Sequence, residues 1–345
     1  MGLQLQSVGK NKNDAIILKS ELPSAKIWPI AGGKGGTGKS TLTANVGVGL
    51  SLLGYKVILV DGDLGGADLH LFFDQISPSR NLCSFLSKDV KSLKDTLLPT
   101  PNENLRIVCG GNELVGMANL SYMTKAKLIR HIRALDADFV LIDLGAGSAY
   151  NTIDLFTLSN DGIIVCTPEP QARLDAYCFI KNTVYRKLRQ LFGKDEELKD
   201  LLGKFSRNQG KKSGKIIELL SSIGQIRPQI AEQASGMLRG YQPKLILNRV
   251  RTKRHIEDVN RFVSLVSEYL ATEISYVGYV RNDESILDAC ERRRPVLLES
   301  PKCSASTDLY KVLLDGLKIP DRLHRFQEGQ SRRFSQITKA EAKLW

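Results

Sequence analysis

The 345-residue sequence predicts a doubly wound α/β fold, a mostly parallel sheet with helices on both faces. Three observations predict it. Apolar runs of strand length alternate along the chain with stretches whose apolar residues recur at helical spacing. A glycine-rich loop, GGKGGTGKST at 32–41, separates one such run from the helix that follows. Two further runs end in aspartate, which puts carboxylates at the C-terminal ends of strands, the edge where open α/β sheets bind ligands.

Residues 1–25 are polar apart from Ala15-Ile16-Ile17-Leu18 and are expected to form a loosely held arm. A domain over 26–318 follows. Ile27–Ala31 is its first strand, although Pro29 removes a backbone donor there, which predicts a bulge or a strand end. The loop carries the phosphate-binding pattern G-x-x-x-x-G-K-[ST] as Gly33, Gly38, Lys39 and Ser40. In that pattern backbone N–H groups turn inward around phosphates, the lysine reaches the β- and γ-phosphates, and the hydroxyl binds Mg²⁺. Leu42, Val46, Leu50 and Leu53 then keep helical spacing until Gly54 stops the helix. Strand, loop and helix are in the order that sets phosphates on the positive end of the helix dipole. The alternative is an ordinary glycine-rich turn.

Lys56–Val60 is the next strand, and it runs into Asp61-Gly62-Asp63-Leu64-Gly65-Gly66-Ala67-Asp68. Beside a phosphate loop, such carboxylates are placed to handle Mg²⁺ and an attacking water; a polar turn capped by aspartates is the alternative. Residues 81–136 read as short helices around a strand, Leu105–Cys109, with a helix near Lys125–Leu135. Asp138–Asp143 is a buried strand ending in an acid, the arrangement that holds Mg²⁺, usually through water. Gly145 and Gly147 follow at once, and Gly145 leaves a backbone N–H able to approach a γ-phosphate. Gly162–Thr167 reads as a strand and Gln171–Leu191 as a helix. From 193 to 242 the period loosens into a helical insertion. It returns in the strands Lys244–Val250 and Ile274–Val280, and a helix over Ser304–Leu317 closes the domain. The tail, 319–345, is basic and carries Phe334, Ile337, Leu344 and Trp345 at roughly helical spacing.

The net charge of +12 is localised, since Lys181–Arg261 holds 19 Lys and Arg against 8 Asp and Glu. Such a stretch suits DNA phosphate or anionic lipid, or is simply a solvated basic surface. No run approaches a membrane span, and Met1–Lys10 has no apolar signal core, so a cytoplasmic location is expected. The six cysteines are scattered without a C-x-x-C pair, which fits reduced thiols.

Lys34 makes the loop more specific. With a second lysine near its start, KGGTGKS resembles the deviant Walker A loop of the MinD/ParA ATPase family, and the likeness extends over Lys26–Leu317. The resemblance implies a fold of that P-loop type with ATP and Mg²⁺ as ligands. ATP would be held by Gly33, Lys34, Gly35, Gly36, Thr37, Gly38, Lys39, Ser40 and Thr41, and Mg²⁺ by Ser40, Asp61 and Asp143. Lys34 would reach phosphate across an ATP-sandwiched homodimer, and Asp63 would orient the water, so that Lys34, Lys39 and Asp63 form the catalytic set. DLGAG matches the family's second switch, with Gly145 beside the γ-phosphate. Asn248, at the end of its strand, would read the adenine edge with one donor and one acceptor. Arg281 stands where the family usually has proline beside the base.

DLGGADLH, DLGAGSAYNTID and LDAYCFIK are most similar to the FlhG/MinD-like branch. That branch implies a spatial regulator of flagellar number, flagellar placement or the division site, with a partner protein that stimulates hydrolysis. The basic tail would be the counterpart of a membrane-binding amphipathic helix, peripheral on anionic lipid. Residues 1–25 lack the glutamine-rich activating helix that some FlhG proteins carry. A ParA-like partition factor binding DNA without sequence preference is the alternative. An Mrp-like iron–sulfur carrier is disfavoured by the cysteine spacing.

Overall fold

The computed structural model describes residues 25–75, 78–111, 120–208 and 214–325. Eight strands form one sheet: β1 (Lys26–Ala31), β2 (Val57–Gly62), β3 (Leu97–Pro99), β4 (Leu105–Val108), β5 (Phe139–Leu144), β6 (Ile163–Cys166), β7 (Lys244–Val250) and β8 (Ser275–Arg281). Their order is β3-β4-β2-β5-β1-β6-β7-β8, and every pair is parallel except β3 with β4. The sheet is thus mostly parallel, as predicted. With β1 central, the chain extends it to both sides, and the loop after β1 lies at the change of direction, where such folds bind ligands.

Strand residues alternate between two cores. Val57, Leu59, Phe139 and Leu141 face the helix α1 (Lys39–Leu52), while Ile58, Val60, Val140 and Ile142 face the opposite layer. Both faces are covered, which is why these strands are apolar throughout rather than alternating. The chain between β2 and β5 contributes the short α2 (Leu82–Leu86) and then α3 (Tyr122–Arg133). After β5 come α4 (Tyr150–Phe156) and, following β6, α5 (Pro170–Phe192). Residues 193–242 form α6 (Glu196–Asn208), α7 (Ile216–Ile226) and α8 (Pro228–Arg239). Leu198, Leu219, Ile223 and Leu238 anchor these helices in the second core. Beyond β7 lies α9 (Lys253–Leu270), and beyond β8 lie α10 (Glu284–Glu291), α11 (Val296–Glu299) and α12 (Ser304–Lys311).

Pro29 is tolerated for a local reason. Pairing of β1 with β6 begins only at Ile30 opposite Ile163. The Pro29 carbonyl points at Gly162, 3.2 Å from where a Cβ on that glycine would be, so the missing N–H of Pro29 faces the chain just before β6 starts. No ladder hydrogen bond is lost. β3 was not expected from the sequence; it is three residues long, ends in Pro99 and only edges the sheet.

The chain after 318 continues to pack on the domain. Ile319 is buried, Tyr55 donates to the Pro320 carbonyl at 2.8 Å, and Arg322 grips Asp138 at 3.0 and 3.1 Å over the Tyr55 ring. The arm before residue 25 and the apolar residues of the tail lie outside the described residues. Among the described residues, no helix is long and apolar enough to cross a membrane.

Candidate nucleotide site

The loop between β1 and α1 is shaped by what its glycines leave out. Gly36 and Gly38 have φ of 79° and 86°, the left-handed region that other residues enter only under strain. At Gly38 the space is also closed, because a Cβ would fall 2.3 Å from Asn248 Nδ2. Gly33 is pressed against α5, where a Cβ would lie 2.3 Å from the Asp175 carbonyl carbon. Lys39 is 8% exposed, whereas Lys34 of the same loop is open to solvent.

Asn248 comes from β7, and its Nδ2 donates to the Thr37 carbonyl at 2.8 Å. Its Oδ1 and the Thr37 hydroxyl are buried without a partner. Buried polar atoms are normally satisfied, so two orphans beside a loop of open backbone amides mark a place for a polar ligand. The amide was expected to offer a base both donor and acceptor. One of its two N–H donors is committed to the loop, and the unpartnered Oδ1 acceptor suits an exocyclic amino group such as that of adenine.

Two carboxylates stand side by side at the strand ends, Asp61 on β2 opposite Asp143 on β5. Asp143 accepts from the Thr43 hydroxyl at 3.0 Å and from Ser40. Burial lifts its pKa to about 6, against the pull of Ser40, Lys39 and Thr43. Asp61 is fully buried and accepts from the backbone N–H groups of Asp63 (3.3 Å) and Leu69 (3.2 Å). Burial, and then the charge of Asp143, raise it well above the usual carboxylate range. A pair held this high is a pair short of positive charge, which a divalent cation held by Ser40, Asp143 and Asp61 would relieve. Asp63 is half-buried, accepts from Gly65 N–H at 3.2 Å, and rests against Gly145, where a Cβ would come 3.0 Å from its Oδ1. The loop after β2 and the DLGAG sequence at the end of β5 therefore meet at these two residues.

At the far wall, Arg281 ends β8 and turns its guanidinium onto Asp308 of α12, at 2.7 and 2.9 Å, with its own N–H on the same carboxylate at 3.0 Å. Asp308 is 1% exposed. The arginine that replaces proline is thus half of a buried ion pair. Asp283 ties this wall down, capping α10 through Ser285 N–H and accepting from Ala305 N–H, both at 3.0 Å. Sequence reasoning missed Thr43 and Asp68. Thr43 lies one helical turn after Lys39, a spacing that could have placed it under the loop; the charge of Asp68 acts on both Asp61 and Asp143.

A parallel sheet with a glycine-lined phosphate loop after its central strand, and acids at the neighbouring strand ends, defines a P-loop nucleotide-binding protein. Residues 28–296 match the CobQ/CobB/MinD/ParA nucleotide binding domain. The chain belongs to that family, as a P-loop ATPase of the MinD/ParA type. It is 29% identical over 191 residues to the antiactivator FleN of Pseudomonas aeruginosa, covering 53% of this chain and 67% of FleN. It is 31% identical over 163 residues to the flagellum site-determining protein YlxH of Helicobacter pylori, 46% of this chain and 53% of YlxH. The matched region thus spans between about half and two thirds of these relatives. The septum site-determining protein MinD of Pyrococcus horikoshii, complexed with Mg-ADP, superimposes with a TM-score of 0.54 at 22% identity, over 85% of this chain and 98% of that one. That likeness is one of fold.

Proposed function

We propose that this protein hydrolyses ATP while cycling between a monomer and an ATP-sandwiched dimer, and that the dimer state regulates the placement or number of flagella, or the division site. The single observation that supports the cycle is the opposite exposure of two lysines in one loop: Lys39 is buried and Lys34 is in solvent. A buried lysine suits phosphates within its own subunit; an exposed one is free to reach a second subunit's nucleotide.

In this reading Gly33–Thr41 wrap the phosphates, and Asn248 Oδ1 accepts from the adenine amino group. Ser40 and Asp143, with Asp61 behind them, are the residues that would hold Mg²⁺, which supplies positive charge against the phosphate oxygens. Asp63 accepts a hydrogen bond from the attacking water and orients it, with the Gly145 N–H beside it as a donor for the γ-phosphate. Lys34 completes the partner's site. The dimer is the state that holds a partner protein, and hydrolysis releases it.

Similarity to FleN and YlxH favours the flagellar role over the division role. The basic tail favours binding to anionic membrane, whereas the basic stretch over 181–261 supports the alternative of DNA binding. Molar mass measured with ATP·Mg²⁺ and with ADP·Mg²⁺ tests the cycle: a dimer with ATP alone is expected, and a monomer in both defeats it. Sedimentation with anionic liposomes should rise with ATP and fall when Arg332–Trp345 is deleted. Equal sedimentation with and without ATP counts against the membrane role, and ATP-dependent, salt-sensitive binding to arbitrary duplex DNA would favour a ParA-like factor.

A further inference from the structure

Asp154 of α4 closes the DLGAGSAYNTID stretch, beyond the DLGAG residues that face the nucleotide site, and it is a heavily committed carboxylate. Its side chain is 7% exposed and carries two cations from two other helices. Lys125 of α3 reaches Oδ2 at 2.5 Å, and Arg186 of α5 bridges both oxygens, Nε to Oδ1 at 2.6 Å and Nη2 to Oδ2 at 3.0 Å. The Arg186 guanidinium also stands 5.9 Å from the Tyr150 ring at the start of α4. Three helices thus meet on one carboxylate.

What α4 carries makes this juncture matter. The helix begins at Tyr150 without a side-chain cap, and the five residues from Gly145 to Ala149 are all that separate it from the end of β5. Gly145 is the residue against which Asp63 rests. Loop 145–149 is therefore strung between a rigid strand and a short helix. Its position is only as definite as that of α4, a helix too brief to hold itself by backbone bonds alone. Ile153 and Phe156 set its inner face in the core; the ion cluster sets its rotation and height against α3 and α5.

We propose that Asp154 is a positioning residue for ATP hydrolysis, holding the second switch in place by locking α4 between α3 and α5. This rests on the hydrolytic reading above and names a residue that reading does not use. The cluster is also one carboxylate against two cations, so loss of the negative charge leaves Lys125, nearly buried, and Arg186, part-exposed, facing each other. Like charges in that position push the helices apart rather than merely loosening them. The residue acts through α4 and touches no substrate, so its effect falls on the chemical step and not on nucleotide affinity.

The test compares Asp154→Asn with Asp161→Asn and with Lys39→Ala. Asp161 holds Trp28, Lys26 and Lys244 at the opposite edge of the sheet, just before β6, and is a control for general loss of stability. Each variant is measured for melting temperature, for affinity toward a fluorescent ADP with Mg²⁺, for kcat and KM with ATP, and for hydrogen exchange over 144–150. Asp154→Asn is expected to bind the ADP probe within about threefold of wild type and to keep its KM. Its kcat should fall at least about tenfold, as for a displaced catalytic group, with faster exchange over 144–150. Asp161→Asn should melt lower but keep kcat and that exchange. The double variant Asp154→Asn with Lys125→Met removes the stranded cation, so it should recover melting temperature while kcat stays low. Recovery of kcat together with stability, an equal fall of kcat in Asp161→Asn, or unchanged exchange over 144–150 in Asp154→Asn would each overturn the assignment. Wild-type hydrolysis that Lys39→Ala does not abolish would instead defeat the hydrolytic reading, and the positioning role with it.

Discussion

Asn248 holds the phosphate loop from β7, donating its Nδ2 to the Thr37 carbonyl at 2.8 Å from a site 4% exposed. Removing the amide leaves that carbonyl without its partner, and an unsatisfied buried group costs about 1–3 kcal/mol. Asn248→Ala should therefore weaken ADP binding by roughly 10- to 100-fold. Asn248→Asp should be worse, because a carboxylate cannot donate to the loop and faces its carbonyl with another acceptor. Titration with a fluorescent ADP, with calorimetry as a check, measures both. An Asp variant that binds as well as wild type would mean that the strut contributes nothing.

Gly36 and Gly38 share a left-handed backbone but not the same surroundings. A Cβ on Gly36 meets nothing within 4 Å, while one on Gly38 meets Asn248 Nδ2 at 2.3 Å. Gly36→Ala should thus show the backbone cost alone, about 1–2 kcal/mol, and a modest loss of affinity. Gly38→Ala adds a collision that pushes Asn248 off the loop, and nucleotide binding should be undetectable. Equal affinities for the two variants would contradict this account.

The two lysines and Asp63 make separable demands. Lys39→Ala should lose ATP affinity outright. Lys34→Ala should bind ATP yet remain monomeric and hydrolyse nothing. Asp63→Ala should bind ATP and accumulate as a dimer, since removing a group that handles the water slows turnover by roughly 10²–10⁴-fold. One binding assay and one molar-mass measurement with ATP·Mg²⁺ separate the three. Lys34→Ala turning over at the wild-type rate would rule out a sandwich dimer for this protein.

The Arg281–Asp308 pair makes a prediction about stability. Truncating the arginine strands a carboxylate that is 1% exposed, and breaking such a pair from one side costs about 3–5 kcal/mol. Arg281→Ala should lower the urea midpoint accordingly. Adding Asp308→Ala should return part of the loss, because the stranded charge is gone. A double variant less stable than the sum of the single changes would show that the pair is not the cause.

Asp161 gives the pH dependence. Burial raises its pKa, but hydrogen bonds from Lys244 and Ser159 outweigh that and leave it below the usual carboxylate value. A carboxylate depressed on folding contributes stability that is fully present above its unfolded pKa of about 3.9 and is lost as pH falls through the folded value. Asp161→Asn should therefore be less stable at neutral pH and show a flatter acid limb below about pH 4. Melting temperature followed from pH 7 to pH 3 checks the sign. A variant whose acid limb is as steep as that of wild type would assign the loss to other carboxylates.

The sequence by itself determined the parts of this protein whose chemistry is written in consecutive residues. GGKGGTGKST announces its loop because the backbone turn, the lysine and the hydroxyl must follow one another at fixed steps, and Asp61 and Asp143 are legible because each closes an apolar run, while Asp63 was marked by the family resemblance. The parallel sheet was legible for the same reason, since strands buried on both faces are apolar throughout. Only the tertiary structure decided which of those groups are free. That the amide of Asn248 is half spent on Thr37, 211 residues away, that Arg281 answers Asp308, that Gly145 yields its Cβ space to Asp63, and that Asp154 gathers Lys125 and Arg186 are all contacts between distant parts of the chain. Pro29 and the three-residue β3 belong with them, because whether a strand position needs its donor depends on where the neighbouring strand begins. Spacing along a chain records what a residue can do next to its neighbours; which partner uses up a donor, an acceptor or a charge is set only when the sheet brings its strands together.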